Sequence, residues 1–228
     1  MPDLPIPAPA LPALSPAARR RAFLSMWLVD HGFIRDVYCN VHRLTDHAWR
    51  SAQPSPRHLR WARRSGIRTI LNLRGRRETC GSYLLEREAC QQLGLTMVDF
   101  PVRSRQPLDR ETLLAAAELF PTLRHPVLMH CKSGADRAGL MATLYLHLHE
   151  GVPMRLAMRQ LSLRYGHIKH AKTGVIDFFF ESYLADQRER GLSFLDWVAD
   201  VYDPVDVLTR FRDNWLASFL VNRVLRRE

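Results

Sequence analysis

The amino-acid sequence predicts an α/β fold: a central, mostly parallel sheet flanked by helices on both faces, with extra helices at the C-terminal end. Short apolar runs alternate with helical stretches of about 10–15 residues, the pattern of βαβ units. Beyond Met154 the pattern turns almost wholly helical. Apolar residues make up 46% of the 228 and charged residues 25%, enough to build one sizeable core with tails.

Taken in order, residues 1–16 are rich in Pro and Ala and predict a disordered or extended arm. Ala17–Phe33 is a helix candidate whose apolar face carries Phe23, Leu24, Trp27 and Leu28. It either packs on the domain or lies in a membrane interface. Val41–Leu44 and Ala48–Ser51 read as short strands, followed by the loop Ala52-Gln-Pro-Ser-Pro56, whose prolines forbid a central strand. Ser55-Pro56 starts a helix that Gly66 ends. Thr69–Leu73 is a buried strand, Gly81–Leu93 a helix closed by Gly94, and Thr96–Val102 a further strand. Asp109 caps a helix running to Leu123. Pro126–Met129 is a strand, and Ala138–Glu150 an apolar helix ended by Gly151 and Pro153. The resulting division is an arm (1–16), a main domain with its N-terminal helix (17–190) and a helical extension (191–228).

The chain carries 33 basic against 23 acidic residues, a net charge of +10. Such a balance favours anionic partners. No recognised nucleic-acid module and no interleaving of aromatic with basic residues accompany it, so a nucleic-acid partner is not expected. Cys39, Cys80, Cys90 and Cys131 form no CxxC pair and no zinc spacing; no metal and no cofactor are expected. Scattered cysteines suit a cytoplasmic setting. No apolar stretch reaches 18 residues, so no spanning helix is indicated.

The chemistry concentrates between Pro126 and Ala142. A buried strand leads into His130-Cys-Lys-Ser-Gly-Ala-Asp-Arg137 and then into a helix. Loop N–H groups turned inward make an anion nest, and the helix N-terminus adds its positive end. Gly134 permits the tight backbone, and Arg137 can fold over the opening with its planar fork. Thiols in such electropositive settings ionise at roughly pH 3.5–7.5, which would make Cys131 a nucleophile for in-line attack on phosphorus.

HCKSGADR resembles the His-Cys-x5-Arg signature of the cysteine-dependent protein tyrosine and dual-specificity phosphatase superfamily. Trp49-Arg-Ser-Ala-Gln-Pro-Ser-Pro56 and Gly66-Ile-Arg-Thr-Ile-Leu-Asn-Leu-Arg74 are similar to the first strands of its compact bacterial and fungal dual-specificity-like branch. The resemblance covers roughly Val41 to Tyr183. It implies a three-layer protein tyrosine phosphatase-like fold and hydrolysis of phosphate monoesters through a phosphocysteine on Cys131. It also implies a phosphate cradle of Lys132, Ser133, Gly134, Ala135, Asp136 and Arg137, with His130 orienting the loop and Lys132 projecting from the rim. Ala138 departs from the pattern, since relatives commonly carry Ser or Thr after the Arg to assist the departing thiolate. Ser133 is the substitute donor to consider.

A leaving alkoxide or phenoxide needs a proton, usually from an Asp. Asp136, in the loop as in some similar bacterial relatives, is the first candidate. Asp99, at the distance upstream of Cys131 where the family carries a mobile-loop Asp, is the second, although Val98–Val102 reads as a strand. Asp109 is better explained as a helix cap.

Every lysine falls either in the signature loop or in Tyr165–Lys172, which makes His167, Lys169, His170 and Lys172 candidates for a substrate rim. In the tail, Val207, Leu208, Phe211, Trp215, Leu216, Phe219, Leu220 and Val224 fall at helical spacing among arginines. That pattern fits core packing or an amphipathic helix on an anionic membrane. The expected partners are therefore a phosphorylated protein, or a phosphorylated lipid or glycolipid met at the inner membrane face. A non-catalytic phosphate-binding relative is the competing class, disfavoured because Cys131 and Arg137 are both present. A rhodanese-type sulfur transferase also uses a loop cysteine, but the placement of Arg137 and the upstream motif disfavour it.

Overall fold

In the computed structural model, residues 13–213 are described. The N-terminal segment runs through α1 (Pro16–Leu24), a π-turn at Ser25–Val29 and α2 (Gly32–Val37). The core domain follows as β1 (His42–Arg43), β2 (Ala48–Ser51), α3 (Pro56–Arg64), β3 (Thr69–Asn72), α4 (Gly81–Leu93), β4 (Thr96–Asp99), α5 (Arg110–Thr122), β5 (Val127–His130) and α6 (Asp136–Leu148). α7 (Met154–Ala157), three 3₁₀ turns, α8 (Val175–Arg190) and α9 (Phe194–Asp200) complete it. A further helical stretch starts at Pro204. The tail residues from Trp215 onward lie outside the described residues.

The five strands are ordered β1-β2-β5-β3-β4, with only β1 antiparallel to its neighbour. The period-two alternation of strand side chains divides the core in two. Ile70, Met97 and Leu128 face a cluster with Leu59, Ala62 and Tyr83 of α3 and α4. Leu71, Val98 and Met129 face a larger cluster with Leu113 and Phe120 of α5, Leu140 and Leu144 of α6, Phe179 of α8 and Trp197 of α9. A central sheet between two helical layers is the predicted α/β architecture. β5, the central strand, is buried along its whole length. Its C-terminal end opens into the signature loop, in the crevice beyond the strand ends where open α/β sheets bind ligands.

β2 has the expected bounds and β5 is shifted by one residue, while β1, β3 and β4 are shorter than the sequence pattern suggested. β4 stops at Asp99 because Pro101 cannot donate to a ladder, while Val102 N–H crosses to the Leu73 carbonyl at 3.3 Å. α6 starts at Asp136, two residues earlier than the apolar pattern indicated. Asp109 caps α5 as expected, accepting from the Thr112 N–H at 2.7 Å.

The N-terminal helix packs on the domain, but not by the predicted face. Ala22 and Met26 bury against Leu85 of α4. Leu24, Trp27, Leu28 and Val29 remain at least half exposed, and Phe23 nearly so. Arg19 pairs with Glu88 of α4 at 2.8 Å, and a Cβ on Gly81 would stand 2.2 Å from the Ala22 carbonyl oxygen. The π-turn buries Met26 and is followed by Asp30, which also enters the domain.

Candidate active site

The signature loop is held from outside. Buried Arg50 on β2 donates through Nη2 to the carbonyls of Gly134 (2.6 Å) and Ala135 (2.9 Å). Its Nη1 donates to the backbone and side-chain oxygens of Gln160, and its guanidinium lies over the Tyr165 ring at 4.2 Å. Asn40 Nδ2 donates to the Ser133 carbonyl at 2.9 Å, and Gln53 N–H to the Lys132 carbonyl at 3.3 Å. Four successive loop carbonyls thus point away from the sulfur. A peptide's N–H opposes its carbonyl, so tying the Ser133 carbonyl outward turns the Gly134 amide inward. Gly134 N–H meets Cys131 Sγ at 3.2 Å. Gly134 has φ of +76°, and a Cβ there would stand 2.6 Å from the Ala52 nitrogen, so no other residue fits.

Cys131 is buried at the base of this cup, at the end of β5. Arg137, in the first turn of α6, donates to the Leu73 carbonyl at 3.4 Å. That carbonyl also anchors Val102, so the segment after β4 meets the Arg137 side chain. Ala138 is buried in α6. Ser133 Oγ accepts from the Ala135 N–H at 3.4 Å.

His130 is fully buried, with Nδ1 3.3 Å from the Cys131 carbonyl oxygen and Nε2 2.6 Å from Glu86 Oε1. Glu86 also accepts from Gln53 Nε2 at 2.7 Å, and Gln53 Oε1 accepts from Arg74. Arg74 then reaches Asp30 at 2.9 Å, where Arg35 (2.9 Å), Ser82 (2.7 Å) and Lys132 (3.1 Å) converge. Burial pushes the Asp30 carboxyl up, but Arg74, Ser82 and Arg35 outweigh it and hold Asp30 well below the usual carboxylate range. Lys132 is therefore tied to the N-terminal segment, where the sequence suggested a side chain projecting from the rim.

The acid candidates occupy different places. Asp99 ends edge strand β4, two strands from His130, with its oxygens accepting from Asn72 Nδ2 (2.7 Å) and the Tyr83 hydroxyl (2.6 Å). Asp136 opens α6 beside Arg137, with its side chain 27% exposed.

The rim candidates separate as well. His167 is not a rim residue. It is buried, with Nδ1 2.7 Å from Asp136 Oδ1 and Nε2 2.7 Å from Asp177 Oδ2. Lys169 is exposed and pairs with Glu181, and His170 is exposed. Lys172 lines a cavity of about 250 Å³ with Arg105, Leu208, Phe211 and Arg212. Sequence reasoning missed Asp30, Asn40, Arg50, Gln53, Arg74, Glu86 and Asp177 as site residues. Arg50, Gln53 and Arg74 lay inside the quoted upstream motifs, which were the available signal. Among the described residues no group of His, Cys, Asp and Glu could hold a metal ion.

Burial pushes the His167 imidazolium toward neutrality, but the bonds to Asp136 and Asp177 win and raise its pKa to about 9. Because the folded value exceeds the ordinary 6.5, the contribution is fully present below pH 6.5 and is lost as pH rises through about 9. Urea denaturation should therefore show wild-type stability declining from pH 6.5 to 9.5, a slope that His167→Gln lacks.

Three comparisons with known proteins bear on this site. The family described as DSP-PTPase phosphatase fused to NAD+ kinase matches residues 39–174. The chain is 26% identical over 129 residues to the dual specificity protein phosphatase TpbA of Pseudomonas aeruginosa. That match covers 55% of this chain and 55% of TpbA, so the chain spans about half the length of the curated relatives it matches. The crystal structure of P. aeruginosa TpbA superposes with a TM-score of 0.52 at 22% identity, covering 72% of this chain and 90% of that one. Tk-PTP in its active form gives 0.50 at 18% identity, covering 67% and 99%. These structural likenesses establish a shared three-layer fold. With the signature loop inside the matched segment and the same architecture around it, the chain belongs to the DSP-PTPase family of phosphatases fused to NAD+ kinase.

Proposed function

We propose that this chain is a cysteine-dependent phosphatase that hydrolyses phosphate monoesters through a phosphocysteine on Cys131. The supporting observation is the loop whose carbonyls are tied outward by Arg50, Asn40 and Gln53 while the Gly134 N–H meets the sulfur. A tetrahedral dianion seated there meets inward amides, the N-terminus of α6 and the Arg137 guanidinium. Preorganised donors of this kind stabilise charge as it moves in the transition state.

The Cys131 thiolate attacks phosphorus in line, the sulfur–phosphorus bond forming as the ester oxygen leaves. Asp136, which faces the His167 imidazolium in the free protein, is protonated beside the bound substrate dianion, gives that proton to the oxygen and becomes the carboxylate. In the second step Asp136 takes a proton from the attacking water, the sulfur–phosphorus bond breaks, and phosphate and the thiolate are released. Ala138 offers no hydroxyl to the departing sulfur, so the Gly134 N–H is the donor at hand. Cys131→Ser should abolish vanadate-sensitive hydrolysis of an aryl phosphate. Asp136→Asn should slow alkyl phosphates by about 10²–10⁴ while sparing activated aryl esters far more, as expected of a lost general acid. If Asp136→Asn leaves both substrates untouched, Asp136 is not the acid, and Asp99 becomes the variant to assay.

A second reading concerns the substrate's source. Leu24, Trp27, Leu28, Val29, Phe33 and Val37 are exposed apolar residues of the N-terminal segment, which also carries Arg20 and Arg21. Arg105, Lys172 and Arg212 converge on a cavity with an apolar floor. Both features suit a phosphorylated lipid or glycolipid reached from an anionic bilayer at the inner membrane face, with the protein itself cytoplasmic. Among the described residues no helix is long and apolar enough to cross a membrane. The protein should sediment with phosphatidylglycerol vesicles at low salt, and Trp27→Glu should weaken this. Absence of binding at low ionic strength rules the membrane reading out and leaves phosphorylated proteins as the substrate class.

A further inference from the structure

His167 makes no contact with the Cys131 sulfur, yet it is an enclosed titratable group bonded to the cradle's Asp136. Its side chain has no solvent exposure, and each ring nitrogen stands 2.7 Å from a carboxylate on a different helix. Asp136 opens α6, and Asp177 lies in the first turn of α8. The segment carrying His167 is itself fixed: its N–H donates to the Ser162 carbonyl at 3.1 Å, and Tyr165 just before it lies beneath Arg50. A Cβ on Gly174 would meet the Lys169 oxygen at 1.8 Å, so the backbone beyond it is packed against itself.

We propose that His167, oriented by Asp177, is a positioning residue that aims Asp136 at the leaving-group oxygen of the substrate. The inference rests on the phosphatase reading above. Asp136 alone is a partly exposed side chain at a helix start, free to change rotamer. A bond from Nδ1 to Oδ1 fixes the carboxyl plane and leaves Oδ2 to carry the transferable proton. When Oδ2 gives that proton up, the new carboxylate is already held by an N–H, so its charge develops against a prepared donor. Asp177 fixes the ring through Nε2, the role that a buried carboxylate plays toward a catalytic imidazole elsewhere. His167 cannot itself be the acid, since both of its nitrogens are engaged and its ring has no exposure. A purely structural tie between loop and helix would not need two buried ionisable groups, His167 and Asp177, which are costly to desolvate.

The discriminating readout is leaving-group dependence. For His167→Ala, kcat on an alkyl phosphate should fall about 100-fold and kcat on 4-nitrophenyl phosphate only about threefold, with KM for both within about twofold, because only the poor leaving group needs the acid. His167→Asn, which keeps a donor near the Nδ1 position, should recover part of the alkyl activity. Tungstate affinity measured on each variant reports whether the cradle is intact. Should His167→Ala fail to fold, Asp177→Asn provides the same comparison with a milder change. Equal losses on both substrates, or none on either, overturn the proposal. A wild-type protein inert toward 4-nitrophenyl phosphate would instead defeat the phosphatase reading on which it stands.

Discussion

The site depends on one buried guanidinium. Arg50 lies under the signature loop without solvent exposure, and its Nη2 gathers the carbonyls of Gly134 and Ala135. Burial pulls its pKa down to about 10, partly offset by Cys131, Tyr165 and Asp136, so it stays charged at neutral pH. A loop that must turn its amides inward would otherwise expose an outward ring of buried carbonyls without partners, at a cost of about 1–3 kcal/mol for each one unmet. Arg50 removes that cost and fixes the orientation of the anion nest. Gly134 allows the turn, and Asn40 and Gln53 finish the outer ring.

Around this frame run two charge networks with different work. One leads from His130 through Glu86, Gln53 and Arg74 to Asp30, and so binds the N-terminal segment to the base of the loop. It ties Lys132 at the rim to the same carboxylate, where Arg35 and Arg74 also converge. The other runs from Asp136 through His167 to Asp177 and ends at the loop's helical side. The first gives the cradle its foundation; the second governs the group placed to move a proton.

Much of the fold was legible because its signals are local. The short apolar runs of β3 and β5, the Ser55-Pro56 start of α3, the Gly94 stop of α4 and the Asp109 cap each act within a few residues. The HCKSGADR loop was legible for the same reason, as strand, turn and helix are contiguous. Contacts between distant segments were not. Nothing in the apolar spacing of residues 17–33 reveals a π-turn that exposes Trp27 and buries Asp30. His167 looked like one basic residue of a surface loop because its partners sit on two other helices. Arg50 and Gln53 stood within a quoted motif, but their work depends on β2 pairing with β5.

The account turns on sulfur receiving the phosphoryl group beneath inward amides. Acid quenching of the wild-type protein during turnover of an aryl phosphate, followed by mass spectrometry of its peptides, tests this most directly. The account predicts one phosphoryl group, located on Cys131. Continued turnover with the phosphoryl group on another residue, or on none, would contradict it.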